Sequence, residues 1–523
     1  MPGRLVSKAP VWLPVVLILT LGLVLRLYRL GSWPPIHVDE AITGNMARDP
    51  WALLLDPFSA HAGYHFANAA PLFYAPLLQV PAEGIWTMRL TSVVFGVLTI
   101  LATYYLGKEM FDRRVGLIAA FLVSTSHVAL AYSRIGLDNA QVPLWHVLTF
   151  LFLWRALRRG QLRDWALVGL LLGTGMYIYF SYRVALPVIA LFSLVLVLQQ
   201  RSIVRKHSQG ILLAVMTFGV LLLPLGVRFA QSPHQFLSEN TDVTLLSQPE
   251  AFKEGYGTDD IKDVVWQQSL KTYHWFTRGG DTATQYGYAG PAVDGLTRAL
   301  LVLGLAVALW RVRDPRYVLL LSWFLITPVL GGVLTGAPPQ SSRLLGVIPP
   351  LAMLAGVSAA MIGRLLARYL PAVLVGAALV LAGGFVAFAS YDAYFNRYSE
   401  KDIYWSWTDP PATLARYVND LGGARVYILT TELVHRDHPI IRFLTHGQQA
   451  EIVDIQGWWE PDFRFDQELG PARTVFVFLP ENKALIPQLA SQYPGELKEF
   501  RGRVMWGDEG ELFTSYEVLP PLP

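Results

Sequence analysis

Apolar positions in this chain fall in long unbroken blocks rather than in the short alternations of a water-soluble fold. Blocks occur at 11–28, 88–107, 115–131, 142–157, 165–181, 184–200, 210–229, 296–311, 316–334, 343–363 and 370–390. A helix needs ~20 apolar residues to cross the hydrocarbon of a bilayer. The pattern therefore predicts about eleven transmembrane helices. Segments 165–181 and 184–200 count as two spans, although Ser181-Tyr182-Arg183 leaves room only for a tight turn. Past residue 390 the pattern changes. Arg425–Thr431 and Thr474–Leu479 read as buried strands, rich in β-branched and aromatic residues. Pro411–Leu421 and Asn482–Gln492 read as helices, and short strands are expected near Val504 and over Ser515–Val518. The expected architecture is an α-helical polytopic membrane domain over 1–390, with large polar loops at 30–87 and 230–295, followed by a soluble α/β domain over 391–523.

The charges orient this arrangement. With the N-terminus in the cytoplasm, the short inward segments hold seventeen Lys and Arg residues, from Arg4 and Lys8 to Arg364 and Arg368. The three short outward connections hold one each: Arg134, Arg183 and Arg343. Basic residues are retained on the cytoplasmic side during insertion. The prediction is a multi-pass plasma-membrane protein with both large loops and the C-terminal domain outside the cytoplasm. Merging 165–200 into one span would invert every later loop. The first apolar run is long and lacks a small-x-small cleavage site, so it reads as an uncleaved helix.

Composition agrees: 53% of the 523 residues are hydrophobic and 15% charged, against about 25% charged in an ordinary soluble protein. Mean hydropathy is +0.37. There are no cysteines, which excludes disulfides, iron–sulfur clusters and thiolate zinc sites. The outer segments are acidic: nine acids against four bases over 230–295, and twenty against twelve over 391–523. Neither resembles a nucleic-acid surface. No phosphate-cradling glycine loop follows a strand, so no nucleotide site is expected.

Candidate chemistry gathers at the outer ends of the spans. His37-Val38-Asp39-Glu40 follows the first span closely. Paired acids near a membrane surface can serve as a base, a metal ligand or both. Asp39 is equally suited to capping a helix that starts at Ala41. In Tyr132–Asn139, Arg134 and Asp138 are spaced i, i+4 and would share a face if helical. They form either a local ion pair or an anion site beside a second acid. Arg183 and Arg343 stand at the same expected level. Arginine suits phosphate geometry, and it also serves as an interfacial anchor. Gly279-Gly280-Asp281 reads as a turn or a substrate contact. His61 and His65 have the i, i+4 spacing of a metal pair without a local carboxylate. Trp458-Trp459 is either a sugar platform or packing.

Taken together, these pieces resemble the lipid-dependent glycosyltransferases of the GT-C fold, in the group of protein O-mannosyltransferases and the lipid A aminoarabinose transferase. The matching elements are Asp39-Glu40, Asn68-Ala-Ala-Pro71-Leu72-Phe73-Tyr74, Phe111-Asp-Arg-Arg-Val-Gly116 and Ser133-Arg134 with Asp138. They continue with Tyr177-x-Tyr179-x-x-x-Arg183, Gly280-Asp281, Gly290-Pro291 with Asp294, and Ser342-Arg343-Leu-Leu-Gly-x-x-Pro349. The resemblance implies transfer of a sugar from a polyprenyl-phosphate carrier to an acceptor on a protein, glycolipid or polysaccharide, at the outer membrane face. It implies Asp39 as the base, with Glu40 and Asp138 supporting it or binding a divalent metal or the acceptor. It implies Arg134, Arg183 and Arg343 as carrier-phosphate ligands, and Tyr179 and Asp281 as further substrate-binding residues. A divalent metal such as Mg2+ or Mn2+ is a candidate cofactor. However, the aminoarabinose branch carries a metal-site glutamate in a Glu-Lys-Pro motif where this chain has Asn68-Ala69-Ala70. The repeated β-trefoil elements of eukaryotic protein mannosyltransferases are also missing.

Two other classes share this composition. One is a transporter or flippase of lipid-linked sugars, and the other is a non-catalytic scaffold. Transporters concentrate ionisable residues and broken helices near mid-membrane, whereas here they stand at the outer ends of spans. The expectation is that Asp39 and an arginine from another outer turn meet at headgroup level.

Overall fold

The computed structural model describes residues 12–55, 69–79, 84–231, 244–398, 407–460, 462–465, 472–504 and 508–519. His61, His65 and Asn68 lie outside them. The chain divides into two compact units. One comprises Met1–Leu30, Pro50–Tyr74 and Arg89–Tyr398, and the other gathers Gly31–Asp49, Ala75–Met88 and Ser399–Pro523.

In chain order the principal helices are α1 (Leu13–Leu27), α2 (Val38–Ala47), α3 (Gly84–Met110), α4 (Arg113–Thr125), α5 (Val142–Arg159), α6 (Leu162–Gly175) and α7 (Ala185–Gln199). Then come α8 (Ser208–Gln231), α9 (Gly295–Trp310), α10 (Pro315–Pro328), α11 (Ile348–Tyr369) and α12 (Ala372–Asp392). All except α2 and the first residues of α3 belong to the first unit. Among the described residues six helical stretches are long and apolar enough to cross a membrane, and α1 and α9 are shorter apolar helices. The protein is a multi-pass membrane protein.

The tight connection at Ser181–Arg183 is real and has a physical cause. A 3-10 turn, Phe180–Val184, separates α6 from α7. The Tyr182 ring folds back onto Gly175, where any Cβ would overlap it. The Tyr182 hydroxyl meets Thr149 Oγ1 at 2.7 Å and donates to Leu171 O at 3.1 Å. Close backbone approach recurs between α9 and α11, where a Cβ on Gly304 would strike the Leu354 carbonyl. Helices packing in lipid gain chiefly from such contacts, because no hydrophobic drive separates side chain from solvent there.

The second unit is a layered α/β domain. Its strands are β1 (Arg425–Leu429), β2 (Glu451–Ile455), β3 (Thr474–Phe478), β4 (Gly495–Arg503) and β5 (Glu509–Val518), in sheet order β2-β1-β3-β5-β4. β1 pairs in parallel with β2 and β3, while β5 runs antiparallel to β3 and β4. Alternation along the strands fills both faces. Val426, Ile428, Val475 and Val477 join one core with Leu414 and Val418 of helix α13 (Asp409–Asp420). Tyr427, Leu429, Phe476 and Phe478 join another with Leu489 of helix α15 (Ile486–Gln492). Among the described residues after 398, two elements escaped the sequence pattern. They are β2, a half-exposed edge strand carrying Glu451 and Asp454, and α14 (Pro439–Leu444), six residues long and too short to show a period.

Candidate active site

Asp39 and Glu40 open α2, in the second unit. The N-cap is His37, whose Nδ1 accepts from Asp39 N at 3.1 Å. Glu40 closes the box: its Oε2 accepts from His37 N at 3.4 Å, and its side chain is fully buried. A histidine thus does the work that Ser or Thr does in most capping boxes. The capping role open to Asp39 is taken by its neighbours. Successive residues on a helix diverge by ~100°, so the side chains of Asp39 and Glu40 leave α2 from different parts of its circumference. The Asp39 side chain is 29% exposed, with Oδ2 3.5 Å from His37 Nδ1.

The far end of α2 is fastened to α14. Asn45 Nδ2 donates to Pro439 O at 2.9 Å, and Arg48 Nη1 donates to Phe443 O at 2.8 Å. The Arg48 guanidinium lies 4.4 Å over the Phe443 ring. Burial, with Arg442 close by, lowers the Arg48 pKa to about 10.

In the first unit, two of the turns named as carrier-binding in the sequence are joined through side-chain bonds. Tyr132 Oη meets Ser341 Oγ at 2.8 Å, which joins the Arg134 turn to the Arg343 turn. Asp281 Oδ1 accepts from Ala283 N at 3.0 Å and from Ser341 N at 3.1 Å, which brings in the third loop. Gly279 and Gly280 both adopt positive φ ahead of it, and a Cβ on Gly279 would collide with the 289–290 backbone. Gly279-Gly280-Asp281 is therefore a turn whose acid organises a second loop.

Asp281 is buried and its Oδ2 has no hydrogen-bond partner. Desolvation raises its pKa to about 7. A carboxyl whose folded pKa is raised stabilises the fold below its ordinary range, and that contribution is lost as pH rises through the folded value. The melting temperature of the wild type should therefore fall between pH 5 and pH 8. Asp281→Asn should flatten this dependence, since the amide oxygen can still accept both backbone N–H groups. Parallel melting curves for both proteins would contradict this assignment.

Arg134 is fully buried. Its Nη1 donates to Leu25 O at 2.9 Å and to Arg26 O at 2.6 Å, and its Nε donates to Tyr394 Oη at 3.3 Å. Its guanidinium stacks within 5.4 Å of the Tyr394 ring centre and 5.0 Å of that of Phe395. It ties off the last carbonyls of α1, which have no partner within the helix. Residues 133–136 are not helical and Asp138 opens a separate 3-10 turn, Asp138–Gln141, so the pair does not lie on one helix face. Tyr74 Oη donates to Leu137 O at 2.6 Å, which docks the 70–74 segment beside Asp138. Tyr179 and Arg183 lie half-buried around the 3-10 turn between α6 and α7. Arg343 donates to Gly336 O at 3.0 Å.

Two buried arginines escaped sequence reasoning. Arg26 Nη1 reaches Gly22 O at 3.0 Å and Ser124 O at 3.1 Å, and Arg89 Nη1 reaches Leu30 O at 2.9 Å. The available signal was a basic residue inside an apolar block, which lipid does not tolerate without partners. Among the described residues no group of three or more His, Asp or Glu side chains is arranged to hold a metal ion.

Residues 69–225 match the family of dolichyl-phosphate-mannose-protein mannosyltransferases. A 98-residue stretch is 32% identical to the undecaprenyl phosphate-alpha-4-amino-4-deoxy-L-arabinose arabinosyl transferase of Pseudomonas aeruginosa. That match spans 18% of this chain and 18% of the relative's length. The structure of ArnT from Cupriavidus metallidurans bound to undecaprenyl phosphate superposes over 98% of this chain and 99% of its own, with TM-score 0.56 and 14% identity. This chain has the GT-C fold. The oligosaccharyltransferase of Archaeoglobus fulgidus is similar over 97% of this chain and 75% of its own, with TM-score 0.57 and 13% identity. The GT-C likeness thus covers the C-terminal α/β domain as well as the helices, although the motifs quoted from the sequence all lie before residue 350.

Proposed function

We propose that this protein transfers a sugar from a polyprenyl-phosphate carrier to an acceptor hydroxyl of a protein, glycolipid or polysaccharide. The observation that carries the reading is Asp39. It is a partly exposed carboxylate in the first turn of the first loop helix, whose cap is made by His37 and Glu40, in a GT-C fold. An acceptor hydroxyl has a high pKa and needs a base in reach as it attacks. In the proposed step Asp39 takes that proton while the acceptor oxygen bonds to the anomeric carbon. The bond from that carbon to the phosphate oxygen breaks, and the pair of electrons leaves with polyprenyl phosphate. Arg183 and Arg343 are assigned to the phosphate, where positive charge stabilises the leaving group. Tyr179 is assigned to the sugar, and Asp138 to support of the acceptor. Arg134 and Asp281 are given the structural parts described above, and Glu40 that of holding the helix start. A single displacement inverts the anomeric centre.

The charge asymmetry along the chain supports placing this chemistry outside the cytoplasm, with the N-terminus inside. The test is a transfer assay on the detergent-purified protein with synthetic undecaprenyl-phosphate sugars and a membrane extract as acceptor source. Release of undecaprenyl phosphate together with an inverted product is expected. A transporter or scaffold would release none.

A further inference from the structure

Helix α2 has ten residues, and helices shorter than ~12–15 residues are marginal on their own in water. Its position is therefore set by what it packs against. The partners described above come from the C-terminal domain. The bond from Asn45 reaches Pro439, the first residue of α14, and the bond from Arg48 reaches Phe443 near its end. The two bonds bracket α14 along its length, so α2 can neither slide nor roll without breaking one.

Between them stands the Phe443 ring, 1% exposed. A Cβ on Gly44 would overlap its Cε2 and lie 2.8 Å from its Cδ2, and a Cβ on Gly84, at the start of α3, would lie 3.3 Å from its Cζ. The ring is a wedge in a slot between two glycines from different segments. Behind it, Ile441 of α14 belongs to the sheet core with Val426, Ile428, Val475 and Val477. A continuous packed path therefore runs from the sheet, through α14 and Phe443, to Gly44. Asp39 is five positions from Gly44, ~7.5 Å along the axis, and Thr43 Oγ1 donates to Asp39 O at 2.9 Å within the helix.

We infer that Phe443 is a positioning residue for Asp39, and that the C-terminal domain serves the reaction by setting where α2 presents its carboxylate. The inference rests on the proposed role of Asp39. A misplacement of ~1 Å at a reacting group can cost about 100-fold in rate, so a change at Phe443 should reach turnover although the residue touches no substrate.

The experiment uses the full-length protein in detergent, with synthetic undecaprenyl-phosphate sugars as donor probe and hydrogen exchange as a second readout that needs no turnover. Phe443→Ala should lower kcat about 100-fold with donor KM nearly unchanged. It should speed amide exchange across 38–47 while β1 and β3 stay protected. Gly44→Leu alone should also lower kcat. Combining it with Phe443→Ala should recover much of the loss, since the leucine fills the space the ring has left. Wild-type kcat and wild-type exchange in Phe443→Ala, alongside an inactive Asp39→Asn, would overturn the inference and leave the proposed function standing. An active Asp39→Asn would remove the base assignment and the inference with it, whatever exchange shows at 38–47.

Discussion

Replacing Asp39 by Asn should cut sugar transfer by about 10²–10⁴-fold, the contribution typical of a positioned general base, with the protein otherwise intact. The argument comes from the cap. Had Asp39 been the N-cap, its loss would weaken the helix and confuse catalysis with folding. Here His37 Nδ1 and Glu40 Oε2 hold the start of α2, and Asn is isosteric with Asp at a position whose side chain is partly exposed. Melting temperature should therefore move little, and donor KM should hold, because the lost interaction is made with the acceptor proton in the transition state. Glu40→Gln is the natural control, since a glutamine at this position still completes a capping box. Turnover of Asp39→Asn close to wild type would show that another group takes the proton.

The fold was legible where the solvent imposes a rule. Lipid demands ~20 apolar residues per helix, so long apolar helices stand out, and the break between two helices at Ser181–Arg183 was legible too. Buried parallel strands such as Thr474–Phe478 are continuous apolar runs, and they stand out for the same reason. β2 and α14 were illegible because one is a half-polar edge strand and the other a single short helix after Pro439. At the site, His37-Val38-Asp39-Glu40 fits several caps equally well. The choice depends on which side chain turns back to the backbone, and histidine is not among the preferred N-caps. The arginines divide along similar lines. Nothing near Arg134 in sequence shows that the carbonyl it ties off belongs to a residue 108 positions away. The role of α14 was also out of reach, because its contacts with α2 join residues 394 and 395 positions apart.

That division gives the second large expected effect. Arg134→Ala should fail as a structural variant, losing at least about 3 kcal/mol of stability, because hydrogen bonds from a charged donor are worth ~1.5–3 kcal/mol each and the carbonyls they satisfied would be left buried. It would show as a lowered melting temperature and poor recovery of folded protein. Arg134→Lys should not rescue it, since an ammonium cannot reproduce the planar fork that serves Leu25 O, Arg26 O and Tyr394 Oη together. Arg343→Ala is the contrast. The arginine stands half-buried; the variant loses its bond to Gly336 O and should stay folded, while kcat/KM falls about 10²–10³-fold, as when a single charge-stabilising donor is removed. Arg134→Ala with a wild-type melting temperature and impaired donor binding would reverse the division and return this buried arginine to the carrier phosphate. The prediction stands on the physical difference between the two guanidinium groups: a cation already committed to helix-end carbonyls in a dry site has little left to offer a ligand that comes and goes.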